Sequence, residues 1–295
     1  MPVRQDEIPA GLRRLARVHV TRRGRGPAGR DAGGAEDDVA VEEPLEIRVA
    51  GEVVGVLMRT PGDDHRLALG WLFSEGLLSS ADDVSAVFHC GRADDEGYGN
   101  AIEIAPSSSG GIDLSRLDTS RRSFTAGSAC GVCGRKAVED LVQGLPSPEP
   151  GYSVSMSEVA ARVEELRRNQ PVFQATGGAH VAALWARDGS LLAAHEDVGR
   201  HNAVDKVVGA LLVARTEARR GGQPVPEPGL LAVSSRAGLE IVQKAARARV
   251  PVVATVSAPT SLAVELARTA GLTLAAFVRG GGMNVYAGAE RIVDG

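Results

Sequence analysis

The chain has 295 residues, 43% hydrophobic but only 3% aromatic, which is enough for one large or two moderate domains with an aliphatic core. A formal net charge of −4 argues against general electrostatic attraction to nucleic acid. Three cysteines do not make a disulfide scaffold and fit a reducing compartment. Neither a signal peptide nor a membrane-length apolar run is visible, so we expect a cytoplasmic protein.

The first 120 residues predict a small α+β subdomain. We expect one helix over residues 65–75, after an N-cap at Asp63 or Asp64. Residues 22–38 are rich in glycine, basic first and acidic after, and we predict a flexible hairpin loop there. Period-two alternation and turn residues place strands at residues 15–21, 39–41, 45–49, 53–58, 84–90 and 101–104.

A C-x-x-C motif, Cys130 and Cys133, precedes a predicted helix over residues 135–142. Small residues lead into the motif and glycines flank both cysteines, which leaves the backbone free to move. A helix N-terminus and the cations of Arg135 and Lys136 both favour thiolate over thiol. The motif therefore indicates sulfur or redox chemistry. Half of a zinc site, a thioredoxin-like redox pair and a purely structural pair are the alternatives.

The last part of the chain alternates helices and strands in the order α-β-β-α-β-α-β-α-β, which is typical of a parallel or mixed sheet covered on both faces. The chain then divides into an N-terminal subdomain over residues 1–120, a segment over residues 121–150 with the C-x-x-C motif and a proline-rich linker, and an α/β/α domain over residues 151–295. The helices of that domain are expected at residues 157–169, 202–215, 239–248 and 261–270, and its strands at 179–186, 191–195, 230–234, 252–256 and 272–278.

Polar and glycine-rich segments follow four of these strands. Ligands of open α/β sheets bind beyond the carboxyl ends of strands, and helix N-termini and glycine turns suit phosphate. Four such junctions predict a large anionic ligand such as a nucleotide, although serines can be mere helix caps and three glycines a mere turn. The candidate ligand-binding residues are Asp197, Gly199, Arg200, His201, Asn202, Asp205, Lys206, Ser234, Ser235, Arg236, Phe277, Val278, Arg279, Gly280, Gly281 and Gly282.

Five motifs occur in order along the chain: A-C-G-V-C-G at residues 129–134, A-T-G-G-A-H at 175–180, H-E-D-V-G-R-H-N-A-V-D-K at 195–206, V-S-S-R at 233–236 and F-V-R-G-G-G-M-N-V-Y at 277–286. Together they resemble the FdhD family, the sulfur carriers needed to mature formate dehydrogenase. The likeness runs from about residue 44 to the end, and the family more often has Arg or Lys where this chain has Gly282 and Met283. It implies a cytidine-deaminase-like α/β/α domain, a smaller N-terminal part and a homodimer.

The resemblance implies that the protein takes persulfide sulfur from a cysteine desulfurase. It would pass this sulfur to the bis(molybdopterin guanine dinucleotide) form of the molybdenum or tungsten cofactor, bis-MGD, before the cofactor enters formate dehydrogenase. Cys130 would carry the persulfide, as in the family. Our own hypothesis is that Cys133 attacks this persulfide and expels sulfide, leaving a disulfide. Residues 277–282 would bind cofactor phosphates or pterin. From their places at strand ends, we expect residues 197–206 and 234–236 to bind the guanine nucleotide ends, and therefore also a GDP-like nucleotide.

Two other functions are compatible with these motifs. One is a cofactor-binding chaperone that transfers no sulfur, with cysteines used only for docking. The other is a zinc-dependent deaminase, which uses H-x-E followed by P-C-x-x-C, with the glutamate as general acid and base. The C-x-x-C motif precedes the sheet strands here, and the sequence contains neither H-x-E nor P-C-x-x-C. Nucleic acid and membrane are not expected partners.

Overall fold

The computed structural model describes residues 13–21, 34–92, 95, 97–108, 111–116, 144–166, 168 and 170–294. Cys130, Cys133 and the predicted helix over residues 135–142 lie outside these ranges. Sheets and helices are both abundant in them, so the predicted mixed α/β class is confirmed. None of the helices in these ranges is both long and apolar enough to cross a bilayer.

The first two strands form an antiparallel ribbon of their own. They are β1 (Leu15–Thr21) and β2 (Gly34–Ala40), paired from Leu15 with Ala40 to Thr21 with Gly34. Residues 34–38, predicted to belong to a flexible loop, therefore belong to a strand. The guanidinium of Arg17 contacts the carboxylate of Asp38 across the ribbon at 3.1 Å, and this pairing explains why acidic residues enter the strand.

A four-stranded sheet and one helix make up the rest of the first part. The bounds are β3 (Glu43–Val49), β4 (Glu52–Arg59), α1 (Asp64–Ser74), β5 (Val84–His89) and β6 (Ala101–Pro106), and the strand order is β4-β3-β6-β5. Leu45, Ile47 and Val49 alternate along β3 and are fully buried with Leu67 and Leu72 of α1. This period of two is what places one face of the sheet against the helix.

A six-stranded mixed sheet forms the centre of the second part, in the order β13-β12-β11-β10-β8-β9. Two-residue strands β7 (Val154–Ser155) and β14 (Ile292–Val293) pair separately. The sheet strands are β8 (His180–Ala186), β9 (Leu191–Asp197), β10 (Pro228–Val233), β11 (Val252–Thr255), β12 (Thr273–Arg279) and β13 (Gly282–Ala287). The helices are α2 (Met156–Leu166), α3 (Pro171–Thr176), α4 (Arg200–Arg220), α5 (Leu239–Arg247) and α6 (Ser261–Ala270), and 3-10 turns occupy Ala81–Asp83, Leu114–Arg116 and Ala289–Arg291.

Helices cover both faces of this sheet. Val159 and Val163 of α2 pack on one face, together with the strand residue Trp185. The opposite face packs against α4, α5 and α6 through residues such as Val207 and Ile241. The result is helix, sheet and helix in three layers, while the closer likeness to cytidine deaminases stays a prediction.

Several short elements of the second part were not predicted, among them α3, β13 and the two-residue strands β7 and β14. Helix α3 has only six residues and begins at Pro171, and β13 follows directly on the glycines after β12. The start of α2 also differs from the prediction. Ser155, two residues before the expected cap, accepts a hydrogen bond from the backbone N–H of Glu158 at 3.0 Å. Elements this short carry too little periodic signal to be recognised from sequence.

The two parts meet where α1 crosses α4, and the helix backbones are in direct contact. A Cβ atom on Gly70 would lie 1.9 Å from the carbonyl oxygen of Asp205, and one on Gly209 would lie 1.9 Å from that of Arg66. Because no side chain fits between the helices, the first part is held at a fixed position against the second. The predicted division at residues 120 and 150 stays a prediction.

Candidate functional site

Five segments meet at one edge of the six-stranded sheet. β10, β11 and β12 are parallel, and β9 shares their direction because β8 runs antiparallel to both β9 and β10. Their carboxyl ends therefore share an edge with the amino ends of β8 and β13. We call this edge the rim, and it consists of residues 176–180, 197–201, 234–238, 256–260 and 277–282. It brings together the strand-end segments predicted to bind a ligand.

Hydrogen bonds join neighbouring rim segments. The hydroxyl of Ser234 accepts from the backbone N–H of Val181 at 3.0 Å, and the N–H of Ser234 donates to the carbonyl of Val181 at the same distance. The N–H of Ala237 donates to the carbonyl of Ala258 at 3.2 Å, and that of Phe277 donates into the segment after β11. These contacts fix the segments relative to one another, which gives the rim a defined shape.

Positive charge collects along the rim. Arg236 and Arg279 are exposed, and Arg200 and His201 are partly exposed at the start of α4. Burial lowers the pKa of His180, and the nearby cations of Arg200 and His201 lower that pKa further. A surface with this charge attracts anions such as phosphate.

His201 is the member of this group with an acidic partner. Its Nε2 lies 2.9 Å from Oε2 of Glu240, in the first turn of α5. The hydrogen bond from His201 holds the pKa of Glu240 below its ordinary value. The contact ties the starts of α4 and α5 together beside the arginines.

Two helix N-termini at the rim follow glycines, which supply no side-chain cap. Helix α4 follows Gly199 and α5 follows Gly238, and neither cap residue supplies a side-chain hydrogen bond among the described contacts. Helix α6 differs, because the side chain of Thr260 accepts from the N–H of Ala263. Uncapped N–H groups and the helix dipole both favour a bound anion.

The triple glycine forms the turn between β12 and β13. Arg279 pairs with Gly282, and the two residues between them, Gly280 and Gly281, have φ values of 56° and 80°. Positive φ at both central positions is the reason for glycine there. Phe277, just before the turn, also has a left-handed φ of 55°. A cleft of about 290 Å³ lies between this turn and α2, and it is lined on the sheet side by Val256, Val278, Arg279, Gly280 and Gly281.

Three predicted ligand residues instead lie inside the protein. Lys206 and Asp197 are 0% exposed and Asn202 is 8% exposed. The Lys206 Nζ lies 2.8 Å from Oδ2 of Asp197 and donates to the carbonyl of Thr60 at 3.0 Å. The Asn202 amide donates to Oδ1 of Asp197 at 3.0 Å and to the carbonyl of Met58 at 2.8 Å. This cluster joins the end of β4 to β9 and α4. Its polar groups therefore make hydrogen bonds and an ion pair inside the protein instead of contacting a ligand.

Asp205 is a fourth buried member of the predicted set. Both of its carboxylate oxygens lie 2.7 Å from Nζ of Lys244, and one accepts from the hydroxyl of Ser74 at 2.7 Å. Burial raises the pKa of Asp205, and the charge of Lys244 opposes that rise. Asp205 therefore joins α1, α4 and α5, and it has no surface at the rim.

The two serines of the V-S-S-R motif also form hydrogen bonds to the backbone within the rim. Ser235 is 6% exposed, its hydroxyl donates to the carbonyl of Arg236 at 3.0 Å, and its own carbonyl accepts from the hydroxyl of Thr255. Arg236 is the exposed side chain of this motif. The structure thus leaves the arginines, His201, the glycine turn and the helix N-termini as candidates for ligand contact.

The carbonyl acceptors at Met58 and Thr60 were not identified from sequence. Backbone carbonyls carry no residue signature, and Thr60 is separated from Lys206 by 146 positions. Among the residues that the structure describes, no three His, Cys, Asp or Glu side chains come together as metal ligands would. Cys130 and Cys133 lie outside those residues.

Comparison with known proteins identifies the family of the chain. The model of the FdhD/NarQ family matches residues 40–293. The chain belongs to the FdhD/NarQ family. A family relative from Anaeromyxobacter sp. (strain K), named "Sulfur carrier protein FdhD", is 53% identical over 92% of this chain and 96% of its own length. Another of that name, from Nocardia farcinica, is 44% identical over 87% of this chain and 88% of its own.

A solved structure agrees with membership of the FdhD/NarQ family. It is the crystal structure of a formate dehydrogenase accessory protein from Desulfotalea psychrophila, 25% identical, with a TM-score of 0.68. The similarity covers 95% of this chain and 98% of that one. The two proteins therefore share an overall fold.

Proposed function

We propose that this chain is a sulfur carrier for formate dehydrogenase. The observation that carries the proposal is its likeness, over nine-tenths of its length, to relatives named as sulfur carriers. The chain accepts persulfide sulfur from a cysteine desulfurase and delivers it to bis-MGD before that cofactor enters the dehydrogenase. A cytoplasmic homodimer is part of the proposal.

The proposed sulfur transfer has two steps. In the first, the thiolate of Cys130 attacks the outer sulfur of the desulfurase persulfide, so that Cys130 gains the persulfide and the desulfurase thiolate leaves. In the second, the thiolate of Cys133 attacks the inner sulfur of the Cys130 persulfide and sulfide leaves toward the metal. The outer sulfur is thereby reduced and the two cysteines are oxidised to a disulfide. A dithiol reductant must then restore both thiols for the next cycle.

The rim is the proposed binding surface for bis-MGD. The pyrophosphates of this cargo are anionic. Exposed Arg236 lies two residues before the cap of α5, and exposed Arg279 lies at the glycine turn after β12. The glycine turn after β12 leaves backbone N–H groups accessible, because a Cβ on Gly280 or Gly281 would meet nothing within 4 Å. The buried cluster of Asp197, Asn202, Asp205 and Lys206 supports this surface from within and makes no direct contact.

A reconstitution with and without the sulfur donor tests the function. Apo formate dehydrogenase, bis-MGD, cysteine and the full-length chain are mixed, and dehydrogenase activity is followed. A sulfur carrier gives full activity only when the desulfurase is also present. Equal activation without desulfurase contradicts sulfur transfer and supports the alternative of a cofactor-binding chaperone.

Replacing Cys133 with Ala is expected to leave loading of Cys130 intact and to slow sulfur release at least about tenfold, which corresponds to about 1.4 kcal/mol in the barrier. The reason is that the attacking thiolate of the second step is gone. Release is measured as transfer of radiolabelled sulfur from the preloaded protein to cofactor. The matched control is Cys90→Ala, which removes the cysteine outside the motif. Release from Cys133→Ala as fast as from the wild type contradicts the proposed role.

Replacing Arg236 with Ala is expected to weaken GDP binding about tenfold, because a charge-assisted hydrogen bond to phosphate contributes about 1.5–3 kcal/mol. Isothermal titration calorimetry with GDP measures the affinity at fixed salt. Arg48→Ala is the control, because Arg48 is a partly exposed arginine on the four-stranded sheet, away from the rim, and is paired with Glu46. An equal loss in both variants indicates only nonspecific attraction and removes the rim from the proposal.

A further inference from the structure

A second polar cluster lies beside β9, the outermost strand of the six-stranded sheet. Nδ1 of His195 lies 3.1 Å from Oδ2 of Asp63, a residue of the first part of the chain. The same oxygen lies 2.8 Å from Nη2 of Arg14, and Oδ1 lies 2.7 Å from Nη1 of Arg66. The carboxylate thus orients the imidazole through one ring nitrogen, which leaves Nε2 as the nitrogen directed away from Asp63.

Asp63 has an unusual backbone conformation at the position where its carboxylate contacts His195. Asp63 stands at the N-cap of α1, yet its side chain makes no capping hydrogen bond. Its φ of 59° is in the left-handed region. Asp63 therefore lacks the usual N-cap hydrogen bond and has a backbone conformation that non-glycine residues rarely adopt, while its carboxylate contacts His195.

The carboxylate of Asp63 is also held in its charged form. Burial acts to raise its pKa, but the hydrogen bond from His195 and the charges of His195, Lys206 and Arg14 outweigh burial and hold that pKa well below its ordinary value. Asp63 is therefore ionised at neutral pH and keeps the imidazole in one orientation. This is the arrangement that fixes a histidine for binding or for proton exchange.

His195 faces a cleft of about 360 Å³ between β9 and α3, in the size range of small-molecule sites. Arg14 and the exposed Arg168 line it with the imidazole. The acidic residue that also lines it, Glu196, accepts the backbone N–H groups of Val172 and Phe173 at 2.9 Å each. Its charge is therefore compensated by the start of α3, and cationic donors dominate the cleft.

We propose that His195, oriented by Asp63, and Arg168 bind a phosphate group, as the free ion or as a monoester, in this cleft. None of the rim arginines lines this cleft, and the site is additional to the proposed sulfur transfer. The Arg168 guanidinium binds the phosphate oxygens, and Nε2 of His195 shares a proton with one of them. Arg14 holds Asp63 and adds positive charge at the cleft wall.

Phosphate suits this pair of groups better than a carboxylate or sulfate does. The second pKa of a phosphate monoester is near 6, so a phosphate oxygen can either carry a proton and donate it to Nε2 or accept one from it. Either way the hydrogen bond between Nε2 and oxygen is kept. Sulfate has the same shape but carries no proton at neutral pH, so it can only accept.

The test observes the His195 imidazole directly by two-dimensional NMR of the ring nitrogens in the full-length chain. The chain has six histidines, and the signal lost in His195→Gln assigns this one. Inorganic phosphate, glycerol 3-phosphate and sulfate are titrated separately at pH 6.0, where about half of a phosphate monoester carries its proton. We expect saturable shifts of the His195 signals with a phosphate ligand and weaker binding of sulfate, which has no proton to donate to Nε2.

Two variants separate this site from the rim. Arg168→Gln is expected to weaken the phosphate-dependent His195 shift about tenfold, and exposed Arg168 can be changed without disturbing the core. Arg236→Ala should leave the shift unchanged, whatever it does to GDP binding. The proposal is overturned if His195 signals do not respond to phosphate, if sulfate binds as tightly, or if Arg168→Gln responds like the wild type. A shift from glycerol 3-phosphate identifies a monoester site, and a shift from inorganic phosphate alone identifies a site for the free ion.

Discussion

Replacing Lys206 with Met is expected to lower the free energy of unfolding by about 4 kcal/mol, since breaking a buried ion pair typically costs about 3–5 kcal/mol. Lys206 and Asp197 are both 0% exposed, and the ammonium also donates to the carbonyls of Thr60 and Glu196. Methionine fills a similar volume, but it leaves the Asp197 carboxylate and both carbonyls without their cation. Chemical denaturation monitored by circular dichroism measures the loss.

A second substitution distinguishes lost charge compensation from lost packing. In the double variant Lys206→Met with Asp197→Asn, the uncompensated charge is also removed, so stability should recover by about 1–3 kcal/mol relative to Lys206→Met. A single variant that loses less than about 1 kcal/mol contradicts a buried ion pair at this position. GDP affinity of the folded variant adds a second readout, because direct ligand contact by Lys206 would weaken binding even where stability is unchanged.

Replacing Gly209 with Ala is expected to lower the free energy of unfolding by about 3 kcal/mol, the upper part of the usual range for overpacking. The sign is informative, because Gly→Ala inside a helix ordinarily stabilises by about 1 kcal/mol. Here the added Cβ would lie 1.9 Å from the carbonyl oxygen of Arg66, and backbone cannot move away as a side chain would. The helices α1 and α4 must therefore separate.

Gly238→Ala is the matched control for this substitution. Gly238 is the cap residue before α5, has a φ of −87°, and a Cβ there would meet nothing within 4 Å. Its unfolding free energy should fall by no more than about 1 kcal/mol, because alanine is a poorer N-cap than glycine but would meet no neighbouring atom here. A stabilising Gly209→Ala variant contradicts the close crossing of the two helices.

The backbone topology could largely be predicted from the sequence because its signals are local. Alternation along β3 and continuous apolar runs in β10 and β11 indicate half-buried and fully buried strands, and the structure has them so. The ribbon strand β2 was predicted too short, because the charges of Glu36, Asp37 and Asp38 resemble a solvated loop. Pairing with β1 is a nonlocal contact that no local pattern reports.

The candidate site could be predicted only in part, because nonlocal contacts also decide which of its residues can reach a ligand. The convergence of strand ends follows from alternating strands and helices, so the rim segments were identifiable. The density of polar residues between Asp197 and Lys206 indicated a ligand, but the structure uses several of them to hold β4 and α1 against α4. A high density of polar residues in the sequence cannot distinguish ligand contacts from contacts within the protein. The partners that decide between them here, the carbonyls of Met58 and Thr60, lie about 140 positions earlier in the chain. Asp63 is similar, since its N-cap position gave no sign of its contact with His195.

The most direct measurement of the central claim is the mass of the peptide containing Cys130 after incubation with a cysteine desulfurase and cysteine. A sulfur carrier gains about 32 Da, one sulfur atom, on Cys130 and loses it on reduction. Cys130→Ser should gain nothing, while Cys90→Ser should load as the wild type does. An unmodified Cys130 under conditions in which the desulfurase itself carries a persulfide would contradict the account.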